Sequence, residues 1–308
     1  MNILVVFGAT GQQGGSVISQ VLQDSNLAKK FKIRAVTRDA SKSKAKALQL
    51  KGIEIVTANF NDESSMIQAM KGAHTIFATT VTERLKDGKE LEIEQGKKLA
   101  DAAIKVAAQY LIWSSSTNVS EITKGKLRHV SPFDAKAIVE EYITGLPIKS
   151  AFYIPGSFMQ NFLENMSPKP LGDGTYGIFG IGESDVQVPL IDIAADTGKF
   201  IAPILLDPEK FEGKKIAAYD RMYTLEETAN IMCKMSGKTV KYVKVDEETY
   251  KSFLPPLFAL AIVEMLKYVK GYGYYGSKSF STEMVTQLAS EKPVSLEEFL
   301  AKHPLKLE

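Results

Sequence analysis

The feature that most constrains this 308-residue chain is a glycine-rich turn close to its first residue. The turn, Gly8-Ala9-Thr10-Gly11-Gln12-Gln13-Gly14, follows the apolar run Ile3-Leu4-Val5-Val6-Phe7. That run is too short and too β-branched for a helix, so it predicts a buried strand. Apolar residues then recur at positions 17, 18, 21 and 22, which is helical spacing. A strand, a glycine turn and a helix within about 22 residues predict the opening of a dinucleotide-binding unit.

Each glycine of the turn has its own expected role. Gly8 lets the chain turn sharply off the strand, and Gly11 lets the backbone approach a pyrophosphate without a Cβ in the way. Gly14 lets the helix pack close to the sheet, and the free N–H groups at the helix start attract phosphate. The alternative is an ordinary β–α turn without a ligand, because a glycine triplet alone is weakly specific. We predict that the turn binds the cofactor through Gly8, Thr10, Gly11, Gln12, Gln13 and Gly14.

The end of the second predicted strand indicates which cofactor is bound. This strand, residues 32–38, ends in Arg38, and Lys42 follows closely. An acidic residue at this place would bind the ribose 2′-OH of NAD, whereas arginine accommodates the 2′-phosphate of NADP. Asp39 argues against NADP, because it is acidic and lies one residue beyond the usual acidic position. The alternative for Arg38 is a solvated arginine at a strand end that has no function in binding. We predict NADP as the cofactor, with Arg38 at its 2′-phosphate.

Further strands alternate with helices along the first half of the chain. Apolar runs at 53–58, 73–80, 110–116 and 147–154 predict four more strands. Alternating strands and helices form a parallel sheet, and ligands bind outside the carboxyl ends of its strands. We therefore predict an α/β fold with a Rossmann-type, doubly wound parallel sheet. The residues at these strand ends that we add to the candidate cofactor contacts are Asn59, Phe60, Asn61, Thr79, Thr80, Ser115, Tyr153 and Pro155.

The sequence changes character after Pro155-Gly156. Residues 168–182 are rich in Gly and Pro, and residues 188–198 begin as a strand and turn into a helix. A short strand near 214–220 has the pattern of one that returns to the first sheet. We predict an NADP-binding domain over residues 1–155 and a smaller, partly interleaved α+β domain over residues 156–308 that covers the cofactor crevice.

Composition excludes several classes of protein. The formal net charge is +2, so no overall field favours nucleic acid or an anionic membrane surface. A single cysteine, Cys233, excludes an internal disulfide and favours a reducing compartment. We expect no signal peptide before the first strand, and the apolar stretch 257–266 is too short to span a bilayer. We expect a cytoplasmic or a cytoplasmic and nuclear location, and no metal site, because His74, His129 and His303 are scattered.

Four landmarks make the chain resemble the NmrA-like family of atypical short-chain dehydrogenase/reductases. They are the glycine turn, Ser157-Phe158-Met159-Gln160-Asn161, the stretch 188–193 and the stretch 223–229. The resemblance covers nearly the whole chain and implies NADP(H) binding. It implies either a regulator that senses the cofactor and signals to a protein partner such as a transcription factor, or a reductase. The oligomeric state stays open.

The same resemblance identifies a candidate catalytic helix. Typical short-chain dehydrogenases carry Tyr-x-x-x-Lys, in which tyrosine delivers a proton and lysine holds the nicotinamide ribose. The helix predicted over residues 131–144 has Lys136 in the lysine's place, but Pro132 stands in the tyrosine's place and has no acid to offer. Ser115 matches the family's serine position. We interpret the other such spacing, Tyr274 to Lys278, as a coincidence, because it lies in a glycine-rich turn far from the cofactor unit.

The absence of the tyrosine favours one of the two functions. We expect an NADP(H)-binding regulatory or redox-sensor protein with little or no dehydrogenase activity, in which Lys136 is a cofactor contact. The alternative is an NAD(P)H-dependent reductase of a small carbonyl, quinone or enone, in which Lys136 alone supports catalysis. A solvated helix lysine is the alternative without function.

Overall fold

A seven-stranded parallel sheet is the centre of the computed structural model, which describes residues 1–81, 87–276 and 285–307. The strands are β1 Asn2–Val6, β2 Phe31–Thr37, β3 Glu54–Thr57, β4 Thr75–Ala78, β5 Tyr110–Ser114, β6 Lys149–Pro155, β7 Ser157–Phe158, β8 Lys169–Pro170, β9 Tyr176–Gly180, β10 Gln187–Ile191, β11 Lys215–Ala218, β12 Arg221–Thr224 and β13 Val240–Lys244. The order in the main sheet is β11-β6-β5-β4-β1-β2-β3, with all neighbours parallel. This order confirms the predicted Rossmann-type α/β fold.

Helices cover both faces of this sheet. They are α1 Gln12–Gln23, α2 Ser25–Lys30, α3 Ser43–Leu50, α4 Glu63–Met70, α5 Gly88–Lys105, α6 Val119–Ile122, α7 Ser131–Thr144, α8 Ile193–Leu206, α9 Pro208–Phe211, α10 Leu225–Ser236, α11 Glu247–Ser252, α12 Pro256–Tyr272 and α13 Leu296–Lys302, and Met159–Leu163 forms a 3₁₀ helix. On one face, α1 and α8 contribute the buried side chains of Ile18 and Phe200 to the core. On the other face, α5 and α7 contribute Leu99 and Val139, in one cluster with Trp113 of β5. Because both faces are covered, the strands read as nearly continuous apolar runs.

The second half of the chain supplies two elements to this arrangement. Helix α8 passes α1 so closely that a Cβ on Gly198 would lie 2.4 Å from the carbonyl oxygen of Ser16. The Gly198 N–H donates to Ser16 Oγ at 2.9 Å. Strand β11 pairs with β6, from Lys215 opposite Phe152 to Ala218 opposite Pro155. Strand β11, which lies where the sequence predicts a returning strand, is therefore the outermost strand of the main sheet.

The remaining strands of the second half form two small sheets. One has the order β12-β10-β7 and the other has the order β13-β9-β8. Helices α10 and α13 pack against them through a core that includes Met159, Tyr223 and Phe299. Since side chains alternate along a strand, the two residues of β7, Ser157 and Phe158, point to opposite sides.

Candidate cofactor-binding site

The carboxyl ends of β1 to β4 surround a cleft with a volume of about 410 Å³. Its lining residues are Phe7, Gly8, Thr10, Gly11, Gln12, Gln13, Gly14, Val36, Thr37, Arg38, Asp39, Lys42, Ala58, Phe60, Thr79, Thr80, Val81 and Phe158. This is the edge of the sheet at which the sequence predicts ligand binding. The candidate cofactor contacts that line the cleft are Gly8, Thr10, Gly11, Gln12, Gln13, Gly14, Arg38, Phe60, Thr79 and Thr80.

Backbone atoms within the glycine turn lie too close together to accommodate side chains at its glycine positions. Gly8 has a φ of +66°, in the left-handed region that favours glycine. A Cβ on Gly14 would lie 2.4 Å from the Gly8 carbonyl oxygen, and a Cβ on Gly11 would lie 3.1 Å from the same atom. The Gly11 N–H donates to that oxygen at 2.8 Å, which closes the turn. Bare backbone therefore forms this wall of the cleft.

Helix α1 begins at this wall. Its N-cap residue, Gly11, has no side chain to bond the first N–H groups, and the first helical residues, Gln12 and Gln13, line the cleft. Such a helix start attracts anions through its N–H groups and its positive dipole end. Gln13 Oε1 is buried and has no hydrogen-bond donor in the described part of the chain. A ligand that carries both phosphates and hydroxyl groups fits these two features.

Two cationic side chains, Arg38 and Lys42, line the cleft beyond the end of β2. Asp39 lies between them in sequence, and its Oδ1 accepts hydrogen bonds from Ser41 Oγ at 2.6 Å and from the Ser41 N–H at 2.8 Å. The hydroxyl bond, followed by the backbone bond, lowers the pKa of Asp39 below its ordinary value of 3.8. Asp39 is therefore ionised, but Ser41 engages one of its oxygens.

Aromatic rings form the β3 side of the cleft. Phe7 and Phe60 both line it, and their rings stack with centroids 5.6 Å apart and planes 27° apart. Ala58 adds a small apolar surface beside them. A flat apolar wall of this kind suits a planar heterocycle.

Asn59 and Asn61 do not line the cleft, although the sequence places them at a strand end. Asn59 Oδ1 accepts the Asn61 N–H at 3.0 Å, and Gln95 Nε2 donates to Asn61 Oδ1 at 2.9 Å. These side chains shape the turn between β3 and α4 and join it to α5. Hydrogen bonding within the protein thus accounts for both residues, and a cofactor contact for either stays a prediction.

The candidate cofactor contacts at the ends of β5 and β6 also lie outside the lining of the cleft. Tyr153 is fully buried, its hydroxyl donates to Thr197 Oγ1 at 3.1 Å, and burial raises its pKa far above its ordinary value. Alternation along β6 directs this ring to the core beside α8, so the structure makes it a core residue. Pro155 ends β6 opposite Ala218. Ser115 is buried, and its N–H donates to the Tyr153 carbonyl oxygen at 2.7 Å.

Lys136 is connected to the cleft through a buried glutamate that sequence reasoning missed. Lys136 Nζ lies 2.5 Å from Glu92 Oε1, and Thr80 Oγ1 donates to the same oxygen at 2.6 Å. Thr80 lines the cleft, whereas Lys136 does not. Glu92 is completely buried on α5. The sequence did contain a signal for Glu92, which is its position on the helix. Glu92, Gly96 and Leu99 recur at helical spacing on the buried face of α5, and a charged side chain on a buried face requires a partner.

The place of the family's catalytic tyrosine carries no acid in this chain. Pro132 stands in the first turn of α7, where its missing N–H sacrifices no hydrogen bond. Tyr274 packs edge-on against Phe133 with ring centroids 5.7 Å apart, and burial raises its pKa well above the ordinary value of 10.0. Lys278, which completes the second Tyr-x-x-x-Lys spacing, lies outside the described residues.

Within residues 1–81, 87–276 and 285–307, no three His, Cys, Asp or Glu side chains are grouped so as to hold a metal ion. His74 Nδ1 bonds to Thr75 Oγ1 at 2.8 Å, and His129 Nδ1 bonds to Glu264 Oε1 at 2.7 Å. The same ranges contain no helix that is long and apolar enough to cross a membrane.

Comparison with known proteins shows which family and which relatives this chain is similar to. The model of the NmrA-like family matches residues 2–300. The NmrA-like family domain-containing oxidoreductase malD of Malbranchea aurantiaca is 27% identical, over 79% of this chain and 75% of its own length. An NmrA-like family domain-containing protein of Dictyostelium discoideum is 28% identical over 99% of both chains.

Solved structures share the fold at lower identity. The negative transcriptional regulator NmrA in complex with NADP has a TM-score of 0.78 at 24% identity, over 99% of this chain and 95% of that one. The triphenylmethane reductase of Citrobacter sp. complexed with NADP(H) has a TM-score of 0.77 at 21% identity, over 98% and 100% of the two chains. A regulator and a reductase thus have the architecture described above.

Proposed function

This chain belongs to the NmrA-like family, and we propose that it is a regulator that binds NADP(H) in the cleft and has little or no dehydrogenase activity. The observation that carries the proposal is the environment of Lys136, whose ammonium group is held 2.5 Å from the buried carboxylate of Glu92. Four residues earlier, Pro132 offers no acid. The described part of the cleft offers backbone and cationic groups for a nucleotide, while Pro132 stands in the place of the expected tyrosine and Lys136 is paired with Glu92.

The pyrophosphate, the 2′-phosphate, the adenine and a ribose hydroxyl of NADP(H) would each meet a matching group in the cleft. The uncapped start of α1 would hold the pyrophosphate. Arg38 and Lys42 would hold the 2′-phosphate, which is the feature that separates NADP from NAD. Phe60 would stack on the adenine, and Gln13 Oε1 would accept a hydrogen bond from a ribose hydroxyl. This donor and acceptor set supports NADP(H) as the cofactor.

The described residues of the cleft lining offer no side chain that donates a proton near neutral pH. Among the described lining residues there is no Tyr, His or Cys. Asp39 is ionised because its pKa lies below 3.8, and the Thr80 hydroxyl already donates to Glu92. A reduced nicotinamide supplies a hydride when bound, but carbonyl reduction also requires a proton donor matched to the operating pH. We therefore expect the redox state of the bound cofactor to change how the protein binds its partner. We do not expect the cofactor to be consumed in the turnover of a substrate.

The second half of the chain contributes Phe158 to the lining of the cleft. This residue lines the cleft from β7, and β7 pairs with β10 through Phe158 opposite Ile191. A cofactor that touches Phe158 would therefore contact one of the small sheets as well as the main sheet. In the proposed function this contact lets the bound cofactor alter the surface that a protein partner, such as a transcription factor, recognises.

The second candidate function is an NAD(P)H-dependent reductase of a small carbonyl, quinone or enone. It is favoured by the oxidoreductase names of curated relatives such as malD. It is also favoured by the hydrogen bond from Thr80 to Glu92, which connects the cleft to Lys136. In this function Lys136, positioned by Glu92, would deliver the proton.

NADPH oxidation against a panel of quinones and enones, run beside calorimetric titration of NADP⁺ and NADPH, separates the two functions. We expect tight cofactor binding and negligible turnover in the wild-type protein. Because Lys136 does not line the cleft and is connected to it through Glu92 and Thr80, Lys136→Met should weaken NADPH binding by no more than about 1–3 kcal/mol, the contribution of one or two hydrogen bonds. Reduction of any substrate that disappears in Lys136→Met while NADPH still binds would contradict the regulator.

This experiment needs a matched variant, because Lys136→Met also removes a cation beside a buried carboxylate. Breaking a buried ion pair on one side destabilises a fold by about 3–5 kcal/mol. The double variant Glu92→Gln/Lys136→Met removes both charges, so we expect it to be more stable than the single variant in urea unfolding. A loss of turnover that is shared by both variants then reports on Lys136 itself and not on the fold.

A further inference from the structure

A second cavity, with a volume of about 460 Å³, is lined by both small sheets, by α10 and by the segment that ends α11. All of its lining residues lie between Ser157 and Leu254. The cofactor cleft shares none of them, and its lining comes from residues 7–81 and from Phe158. Ser157 and Phe158 are neighbours on β7 with side chains on opposite faces, so this strand separates the two cavities.

The walls of this second cavity are predominantly apolar. Phe162, Ile178 and Leu190 line it and are buried. Three aromatic rings form one side, with Phe253 packed edge-on against Phe179 at 5.1 Å and against Tyr250 at 6.2 Å between ring centroids. Aromatic walls in such arrangements favour the edge or face of another ring.

Two polar side chains in these walls already have partners within the protein. The Tyr242 hydroxyl donates to the Gly182 carbonyl oxygen at 2.7 Å, and Thr228 Oγ1 donates to the Thr224 carbonyl oxygen at 2.9 Å. None of the described lining residues is Asp or Glu, and Lys169 at the rim is exposed. A charged ligand would lose its hydration here without gaining a buried counter-charge, whereas an uncharged ligand has no such cost.

We propose that this cavity binds a small, uncharged molecule with an aromatic or alicyclic ring, at a site separate from the cofactor. Its volume lies within the range of about 300–1,000 Å³ that is typical of small-molecule sites. Entry is past Phe253, whose exposed fraction is 53%, because α11 just before it contains no buried residue. A segment with so few buried contacts opens at low free energy.

The uncharged fluorophore N-phenyl-1-naphthylamine tests this site, because its emission rises in apolar surroundings. We expect saturable binding of one probe per chain, with the same affinity in the presence of saturating NADP⁺. Leu225→Trp adds an indole ring to the cavity wall and should weaken probe binding roughly tenfold or more, since packed interiors leave no other room for it. Leu50→Trp is the matched control, because Leu50 is 89% exposed on α3 and does not line the cavity, and its affinity should equal that of the wild type.

Two results would overturn the proposal. One is displacement of the probe by NADP⁺, which would assign the probe to the cofactor cleft. The other is unchanged probe binding in a folded Leu225→Trp variant. If circular dichroism shows that Leu225→Trp is unfolded, Thr228→Met replaces it, because it narrows the same cavity and removes only the hydrogen bond to the carbonyl oxygen of Thr224, the N-cap of α10. A folded Thr228→Met variant that binds the probe like the wild type equally contradicts the site.

Discussion

At the scale of single residues, local hydrogen bonds decide which charges a ligand in the cleft would meet. Arg38 and Asp39 are neighbours with opposite signals for cofactor choice. Ser41 engages Asp39 with two hydrogen bonds of 2.6 and 2.8 Å, so this carboxylate has less capacity to accept from a ribose hydroxyl. An aspartate that bonds a residue two positions on is a common turn feature, and here the sequence Asp39-Ala40-Ser41 carries it.

We expect Arg38→Ala to lower the affinity for NADP⁺ much more than the affinity for NAD⁺. A charge-assisted hydrogen bond contributes about 1.5–3 kcal/mol, or roughly ten- to a hundredfold in affinity, and NAD⁺ lacks the 2′-phosphate that would receive it. Calorimetric titration with both nucleotides measures the difference. Lys46→Ala is the control, because Lys46 is an exposed cation on α3 outside the cleft lining. Equal losses for NAD⁺ and NADP⁺ in Arg38→Ala would remove Arg38 from the 2′-phosphate site.

At the scale of elements, the sequence predicts helices and strands well where polar and apolar residues alternate with a clear period. The residues of α7, Ser131–Thr144, match the predicted 131–144. Helix α1 begins at Gln12, before the apolar period that starts at 17, because Gly14 and Gly15 in its first turns add no side chains to the pattern. Helix α8 continues to Leu206, beyond residue 198, since Phe200 and Ile204 are buried against the main sheet.

Gly14→Ala and Gly15→Ala form a matched pair that tests the strand–turn–helix geometry. A Cβ on Gly14 would lie 2.4 Å from the Gly8 carbonyl oxygen, so we expect about 1–3 kcal/mol of destabilisation and weaker NADP⁺ binding. A Cβ on Gly15 would lie 3.7 Å from the Ala9 carbonyl oxygen, and higher helix propensity should stabilise that variant by up to about 1 kcal/mol. Urea unfolding and nucleotide titration measure both effects. Equal stability of the two variants would contradict the close packing of this turn.

The lining of the cleft could be predicted from the sequence where residues follow a strand directly, and not where tertiary packing decides, while cofactor binding by these residues stays a prediction. The glycine turn and Arg38 could be located because each follows an apolar run within a few residues. Tyr153 lies near the end of such a run rather than after it, and alternation on β6 places its ring in the core. The pair of Glu92 and Lys136 joins residues 44 apart in sequence, and only the packing of α5 against α7 brings them together.

At the scale of the whole molecule, α8 connects the main sheet to the end of the chain. Asp196 on α8 is completely buried, and both of its carboxylate oxygens accept the Val294 N–H, at 3.1 and 3.2 Å. Lys199 Nζ lies 2.9 Å from Asp196 and also donates to the Lys292 carbonyl oxygen at 2.9 Å. Sequence could not predict this connection, because nearly a hundred residues separate its partners. It anchors the segment before α13 on the face of the main sheet that carries α1.

This connection makes the stability of the whole fold depend on pH. Burial, only partly offset by Lys199 and the Val294 N–H, raises the pKa of Asp196 from 3.8 to about 6. The folded protein therefore holds this proton more tightly than the unfolded chain does. As pH rises through the interval between the two pKa values, the unfolded chain releases the proton first, so this contribution to stability is full below pH 3.8 and is lost above about pH 6.

Asp196→Asn isolates this effect, because asparagine does not titrate while every other group is common to both proteins. A pKa of about 6 against 3.8 corresponds to about 3 kcal/mol, so the wild type should lose up to that amount relative to the variant from about pH 4 to about pH 7.5. Urea unfolding at both pH values measures the difference. Asp185→Asn, at an exposed position, should show no such change relative to the wild type. If the difference between wild type and Asp196→Asn is the same at both pH values, the buried carboxylate does not couple protonation to the anchoring of the chain end on α8.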